Sequence, residues 1–314
     1  MSTTTPQRAG VIGYPLAHSI SPQFQQPAFD HLGLNVSYRA YETPPDQLAA
    51  FVQRMRDEVW LGCNVTIPHK QSIFELMDAV EDEARLIGAV NTVVKAGGRL
   101  VGHKTDAAGF LRALVADAGL DVAGKTVVLL GARGAARAVA VALLRAGAAQ
   151  LWIANRTVEV AEALAGSLSA AFRQARIAAL PLEAAALRRP LAAAALLVNS
   201  TSVGMAHGPA PAASPLDAAL LGPHLLVYDL VYNPARTPLL QAAAAAGART
   251  QEGLPMLIYQ GAASFERWTG QPAPVHIMME HGRRALARSI SPRSEVRSRA
   301  LCQTTSDFGP RTSD

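Results

Sequence analysis

Chemistry-bearing side chains gather first at Asn64-Val65-Thr66-Ile67-Pro68-His69-Lys70, which put an amide, a hydroxyl and an ammonium within seven residues. A short apolar run ends there and a helical pattern begins. Pro68 marks the break, because proline suits the first turn of a helix and not the middle of a strand. Polar groups at a strand end, just ahead of a helix, are where open α/β sheets place substrate. A lysine in that setting can donate or accept a proton when its pKa is brought toward neutrality. Taken alone, the segment reads more readily as a surface turn with a solvated lysine, so its meaning depends on the rest of the chain.

A second constellation follows residues 125–130 (KTVVLL), a buried-strand pattern that runs straight into Gly131-Ala132-Arg133-Gly134-Ala135-Ala136. A glycine-rich turn between a strand and a helix binds pyrophosphate through bare amides and the helix dipole. The fingerprint calls for glycine where this chain has Arg133, so the match is partial and a plain tight turn is the alternative. At the end of the next strand, an NAD site places Asp or Glu on the ribose 2′-hydroxyl. This chain has Asn155-Arg156-Thr157 there and no acid. A guanidinium can bond a 2′-phosphate that a carboxylate would repel, which favours NADP over NAD.

The elements that must hold these groups read as α/β. Strands are expected at residues 9–13, 36–42 and 61–66, and helices at 22–32, 44–57 and from Pro68 toward Met77. Alternation of this kind predicts a largely parallel sheet. Residues 91–95 and 99–102, separated by Gly97-Gly98, read as a hairpin. A helix over 106–118 joins this unit to a Rossmann-type unit with a helix at 135–146 and strands at 150–154, 196–199 and 225–230. From Gly253 to about Arg288 the pattern is helical again, and these helices are expected to fold back on the first unit. The resulting division is 1–105 for substrate, 106–252 for cofactor, 253–288 for returning helices and 289–314 for a disordered basic tail.

Composition narrows the class. Half of the 314 residues are hydrophobic and 17% are charged, as in a globular protein, and the length suggests two domains. No apolar run is long enough to span a bilayer, and the start MSTTTPQR lacks a secretory h-region. Cys63 and Cys302 are too few and too far apart for a disulfide framework or a metal site. These features point to the cytoplasm. The net charge of +5 is concentrated late: residues 281–314 hold seven arginines against three acids, +4 of the total. The body is therefore near neutral, and nucleic-acid or membrane partners are not expected.

The motifs in order resemble shikimate dehydrogenases over roughly residues 9–280. The matching stretches are 11–22 (VIGYPLAHSISP), 64–70 (NVTIPHK), 88–92 (GAVNT), Thr105-Asp106, 155–157, 199–204 (NSTSVG), 228–232 (YDLVY) and 253–260 (GLPMLIYQ). The resemblance implies an α/β substrate domain, a Rossmann-type NADP domain and NADPH-dependent reduction of 3-dehydroshikimate to shikimate, a step toward chorismate and the aromatic amino acids. It implies that Ser19 and Ser21 bind the substrate carboxylate. Thr66, Asn91, Asp106 and Gln260 would hold the ring hydroxyls, with Tyr232 close by and Asn64 in the pocket floor. Lys70 and Asp106 would be the catalytic pair. The cofactor would lie against Gly131, Ala132, Arg133, Gly134, Ala135, Asn155, Arg156, Thr157, Thr201, Leu230, Gly253 and Met256. A small polyol acid can be bound by hydroxyls and amides, so no metal is expected. His18 and His69 read as turn or wall residues. The resemblance leaves a monomer or a homodimer open, together with an NAD-dependent quinate/shikimate dehydrogenase and a non-catalytic paralogue.

Three positions depart from the pattern. Lys104 stands where the family usually has asparagine, Arg133 where it has glycine, and Val160 where a second basic residue is usual. Lys104 would compete with Lys70 for Asp106, while Arg133 and Val160 would weaken NADP binding. None of the three reads as core, so the fold is expected to tolerate them.

Overall fold

The computed structural model describes residues 5–289. The tail and Cys302 lie outside that range, apart from Ser289 at the end of the last helix. The first sheet holds β1 (Gln7–Gly13), β2 (Val36–Glu42), β3 (Trp60–Val65), β4 (Ala79–Val80), β5 (Thr92–Ala96) and β6 (Arg99–His103), in the order β2-β1-β3-β5-β6-β4. Helices α1 (Ser21–His31), α2 (Leu48–Asp57) and α3 (Asp82–Ile87) accompany it. β1 runs parallel to β2 and β3, but β5 runs antiparallel to both β3 and β6. The sheet is thus mixed rather than largely parallel. The hairpin accounts for the β5/β6 reversal: Gly97 and Gly98 take φ of +57° and +78°, which a two-residue turn of this kind demands.

The helix expected after Pro68 does not form. The chain makes a turn through His69 and Lys70, and only a short 3-10 segment, Ser72–Leu76, follows. An α-helix would need the Lys70 carbonyl to accept from Phe74. That carbonyl instead accepts from Val90 N at 2.8 Å, and Phe74 N turns to Gln71 O at 3.1 Å. The tertiary bond fixes the backbone of Lys70 against the segment just ahead of β5, which carries Asn91.

The second sheet is built from β7 (Thr126–Leu130), β8 (Gln150–Asn155), β9 (Arg176–Pro181), β10 (Leu196–Asn199), β11 (Leu226–Asp229) and β12 (Arg249–Gln251). Its order is β12-β11-β10-β7-β8-β9 with every pairing parallel, the doubly wound arrangement that reverses at β7. Around it lie α4 (Asp106–Ala116), α5 (Ala135–Arg145), α6 (Val158–Ser169), α7 (Ala184–Ala193) and α8 (Pro238–Ala245). Nearly all of α5 is buried, from Ala136 to Leu144, because it is sandwiched between β7 and α4.

Two final helices, α9 (Leu254–Thr269) and α10 (Val275–Ser289), return to the first sheet. Leu254, Ile258, Ala262 and Phe265 recur at helical spacing and join Phe24, Phe29 and Val11 in one apolar cluster. Each large side chain so buried contributes roughly 1.5–3 kcal/mol. α4 meets α9 at Gly109, where a Cβ would lie 2.6 Å from Gln260 N. Glycine therefore allows the two backbones to touch, and Gln260 is brought beside the N-terminus of α4, where Asp106 sits.

Candidate active site

Three segments converge on Asp106. It opens α4, and its side chain is 8% exposed. Lys70 Nζ donates to Asp106 Oδ2 at 2.8 Å from the turn after β3. Asn91, just ahead of β5, donates through Nδ2 to Asp106 Oδ1 at 3.0 Å and to Gln260 Oε1 at 3.1 Å. The same Nδ2 lies 2.8 Å from Thr105 Oγ1, so two hydrogens serve three acceptors. Asn91 Oδ1 accepts from Thr105 N at 2.6 Å, which sets the amide's orientation. Burial pushes the Asp106 carboxyl up, but the ammonium groups of Lys104 and then Lys70 outweigh it and hold the group well below the usual carboxylate range.

Lys104 corrects one expectation. It is part of the interior: its side chain is 0% exposed, against 25% for Lys70, and its Nζ donates to the same Asp106 Oδ2 at 2.6 Å. The position between β6 and α4 turns inward because the next two residues, Thr105 and Asp106, are themselves buried. Burial brings the Lys104 ammonium down to about 8 despite the attraction of Asp106. Val160 also differs from the expectation, since it packs half-buried against the second domain's core, whereas Arg133 is exposed as a loop residue should be.

Beneath this centre runs a buried polar layer. Tyr38 Oη donates to Asn64 Oδ1 at 2.8 Å, and Asn64 Nδ2 donates to Ser264 Oγ at 2.9 Å. Ser264 also pairs with Thr92 Oγ1 at 2.7 Å. Asn64 is therefore tied into the support layer by both ends of its amide. Ser264 was not singled out from the sequence, and Thr92 and Thr105 entered only within matching stretches, without a role. Spacing offered one signal, because Ser264 follows Gln260 by four residues and shares its helix face. Ser21 is buried at the start of α1, and Ser19 Oγ accepts from Ser21 N at 3.4 Å. Thr66 and Tyr232 are half-buried, and burial raises the Tyr232 phenol above its ordinary range. His69 is a wall residue: it is buried, with Nε2 2.6 Å from Thr43 O.

The second set lies at the carboxyl ends of β7, β8, β10 and β11. Gly131 has φ +98°, and a Cβ there would lie 2.7 Å from Ser200 Oγ, so only glycine brings this turn so close to the end of β10. Gly134 precedes Ala135 at the start of α5 with φ +44° and open space around it, which leaves the helix N-terminus uncovered. Ala132 is buried behind the turn. Asn155 Nδ2 donates to Thr157 O at 2.8 Å, shaping the loop in which Arg156 and Thr157 are exposed. Thr201 Oγ1 donates to Asn199 Oδ1 at 2.7 Å, and Asn199 Nδ2 donates to Asp229 Oδ1 at 2.9 Å. Leu230 O would lie 2.4 Å from a Cβ on Gly253, which holds that loop against the start of α9, where Met256 is buried. An open helix N-terminus, a glycine turn and an exposed guanidinium with no neighbouring acid fit a dinucleotide carrying a 2′-phosphate. The two sets face each other, since His18, from the loop after β1, stacks on His207, beyond β10, at 3.9 Å.

A polar substrate unit with a lysine–aspartate pair, facing a doubly wound dinucleotide unit, defines a two-domain NAD(P)-dependent oxidoreductase. Family models agree in both halves. Residues 11–93 match the shikimate dehydrogenase substrate binding domain, 114–204 the shikimate/quinate 5-dehydrogenase model and 253–281 the shikimate 5′-dehydrogenase C-terminal domain. The chain belongs to the shikimate dehydrogenase family. It is 46% identical to the NADP(+) shikimate dehydrogenase of Methanopyrus kandleri, over 86% of this chain and 93% of that one. Among solved structures, shikimate 5-dehydrogenase of Thermus thermophilus, in complex with NADP(H) and shikimate, is 44% identical with a TM-score of 0.79 over 89% of this chain and 100% of that one. The Listeria monocytogenes shikimate 5-dehydrogenase, in complex with shikimate and NAD, is 36% identical with a TM-score of 0.83 over 88% of this chain and 96% of that one.

Proposed function

We propose that this chain is an NADP-dependent shikimate dehydrogenase that reduces 3-dehydroshikimate reversibly to shikimate. The observation that carries the reading is the Lys70 Nζ–Asp106 Oδ2 contact of 2.8 Å, held in register by Asn91 and Gln260. In this reading residues 1–105 and the returning helices of 253–288 bind substrate, and 106–252 bind NADP. Arg156 and the Gly131–Ala135 turn receive the 2′-phosphate and the pyrophosphate. Bound NADPH supplies the hydride.

The protein's own groups do the rest. Negative charge builds on the carbonyl oxygen as its carbon is reduced, and the Lys70 ammonium stabilises that charge and donates its proton to the oxygen. Asp106 keeps Lys70 aimed through their 2.8 Å contact. In the reverse direction Lys70 takes the hydroxyl proton. Ser19 and Ser21 bind the substrate carboxylate, and Thr66, Asn91 and Gln260, with Tyr232 nearby, hold the ring hydroxyls. Asn64 acts one layer down, by fixing Tyr38 and Ser264.

The enzyme is assigned to the cytoplasm as a monomer or homodimer with a small-molecule substrate. Among the described residues, no helix is long and apolar enough to cross a membrane. The test is turnover of shikimate and of quinate with NADP and with NAD. Turnover with NADP and shikimate supports the reading. Preference for NAD and quinate would replace it with a quinate/shikimate dehydrogenase, and no turnover with either cofactor would leave a binding paralogue. Lys70→Ala should lower kcat by about 10²–10⁴, and an unimpaired variant would remove the proposed mechanism.

A further inference from the structure

One carboxylate oxygen in this site serves two lysines. Lys70 reaches Asp106 Oδ2 from the side that is 25% exposed, and Lys104 reaches the same atom from a side chain that is 0% exposed. Among the described residues, Lys104 has its one hydrogen bond there, and no other carboxylate is bonded to its ammonium. The charged groups acting on it are Asp106 on α4, Lys70 in the turn after β3 and Glu83 on α3, itself paired with Arg145. With both lysines protonated the cluster carries two positive charges against one negative. The two ammonium groups then repel each other across a shared acceptor in a poorly solvated place.

We propose that Lys104 is a positioning residue that shares Asp106 Oδ2 with Lys70 and so loosens the carboxylate's hold on the Lys70 ammonium. The proposal rests on the dehydrogenase reading above and adds to it a member that is sealed from solvent. The sealed lysine cannot reach substrate on the open side of Asp106, and it acts only through the carboxylate. Its charge assists the direction in which Lys70 must be a base, because one cation beside Asp106 disfavours a second. Burial lowers the Lys104 ammonium to about 8, so its charge is present at neutral pH and fades as the solution becomes mildly alkaline.

Lys104→Met removes charge and hydrogen bond while keeping length, and Lys104→Gln removes the charge and keeps a donor. In both, Lys70 is the one cation left on Asp106 Oδ2. Where the rising limb of kcat against pH for shikimate oxidation lies below about pH 8, the range in which Lys104 carries its charge, it is expected to move about one pH unit upward. The ε-carbon resonance of Lys70, followed by NMR in the full chain without ligands, should titrate later by a similar amount. A lysine with a merely structural role would lower kcat at every pH without moving the limb or the resonance. Unchanged limb and unchanged Lys70 titration in folded variants would overturn the proposal. So would Lys104→Gln matching the wild type while Lys104→Met differs, since the hydrogen bond and not the charge would then be responsible. A wild-type chain that turns over no shikimate would defeat the dehydrogenase reading, and the NMR titration would still decide the role of Lys104.

Discussion

Asn91 gives Asp106 Oδ1 its hydrogen bond at 3.0 Å, which leaves Oδ2 for the lysines. This division of one carboxylate gives each oxygen a separate role: Oδ1 is fixed by a neutral amide from the sheet, and Oδ2 carries the charge contacts. The same amide ties Gln260 on α9 to Thr105 ahead of α4. One side chain thus joins the substrate sheet, the linking helix and the returning helix.

Replacing Asn91 by alanine should therefore harm stability and rate together. The variant leaves Thr105 N, Asp106 Oδ1 and Gln260 Oε1 without this partner in a buried place. Each unsatisfied group costs about 1–3 kcal/mol, partly relieved where water enters. A fall of several degrees in Tm and a drop in kcat of at least tenfold are expected, read by calorimetry and initial rates. A variant with wild-type Tm would mean that water restores the network.

Lys104 should also mark the pH dependence of stability. Its folded-state pKa of about 8 lies below the unfolded value of 10.5, so between these values the unfolded chain binds a proton that the folded chain does not. Stability then rises with pH across that window, and the contribution is complete only above the unfolded value. Lys104→Met lacks it. The stability of Lys104→Met relative to wild type should fall, on the order of 3 kcal/mol, between about pH 7.5 and 10.5. Denaturant midpoints of both proteins over that range are the measurement, and parallel curves would contradict a charged buried lysine.

Arg156 should separate the two cofactors. It is exposed at the end of β8 with no acid beside it in the loop, so its guanidinium is free to bind a 2′-phosphate. Arg156→Ala should weaken NADP about tenfold to a hundredfold, roughly 1.5–3 kcal/mol, and leave NAD nearly unchanged. Arg133→Gly, which restores the usual glycine of the turn, should lower the apparent KM for NADP. Titrations of protein fluorescence with each dinucleotide would show both effects. Equal losses for NADP and NAD in Arg156→Ala would place the arginine elsewhere on the cofactor.

Most of the site was legible because its residues sit at element boundaries. Lys70 follows a strand and a proline, and Gly131 joins a strand to a helix, so local pattern and turn chemistry located them, whereas Asp106, which follows a strand and opens a helix, was given its role by the resemblance. The failures are tertiary. Residues after Pro68 have helical spacing, yet Val90 takes the carbonyl that the first helical turn would need. No local rule announces that partner. Lys104 is polar between polar neighbours and reads as surface. Its burial goes with that of Thr105 and Asp106 beside it and with a carboxylate that only the fold supplies. Ser264 and Thr92 were given no role because a hydroxyl in a helix or strand says little until the opposite element is known; the spacing of Ser264 from Gln260 was the one hint.

Gly131 offers a last test, because two independent constraints meet there. Its φ of +98° lies where a side chain is strained, and a Cβ would come within 2.7 Å of Ser200 Oγ. Ser200 cannot simply turn away without loss, since its hydroxyl donates to Leu130 O at 2.6 Å, tying β7 to the loop after β10. Gly131→Ala must therefore move the turn, break that hydrogen bond or both, at a cost of roughly 1–3 kcal/mol from the backbone conformation alone. The turn is also where α5 presents its free amides, so NADP affinity should fall more than tenfold while shikimate binding, tens of residues away on the other sheet, is retained. Separate titrations with the cofactor and with shikimate measure the two sides. Loss of both together would show that the turn supports the whole molecule and not the dinucleotide site alone.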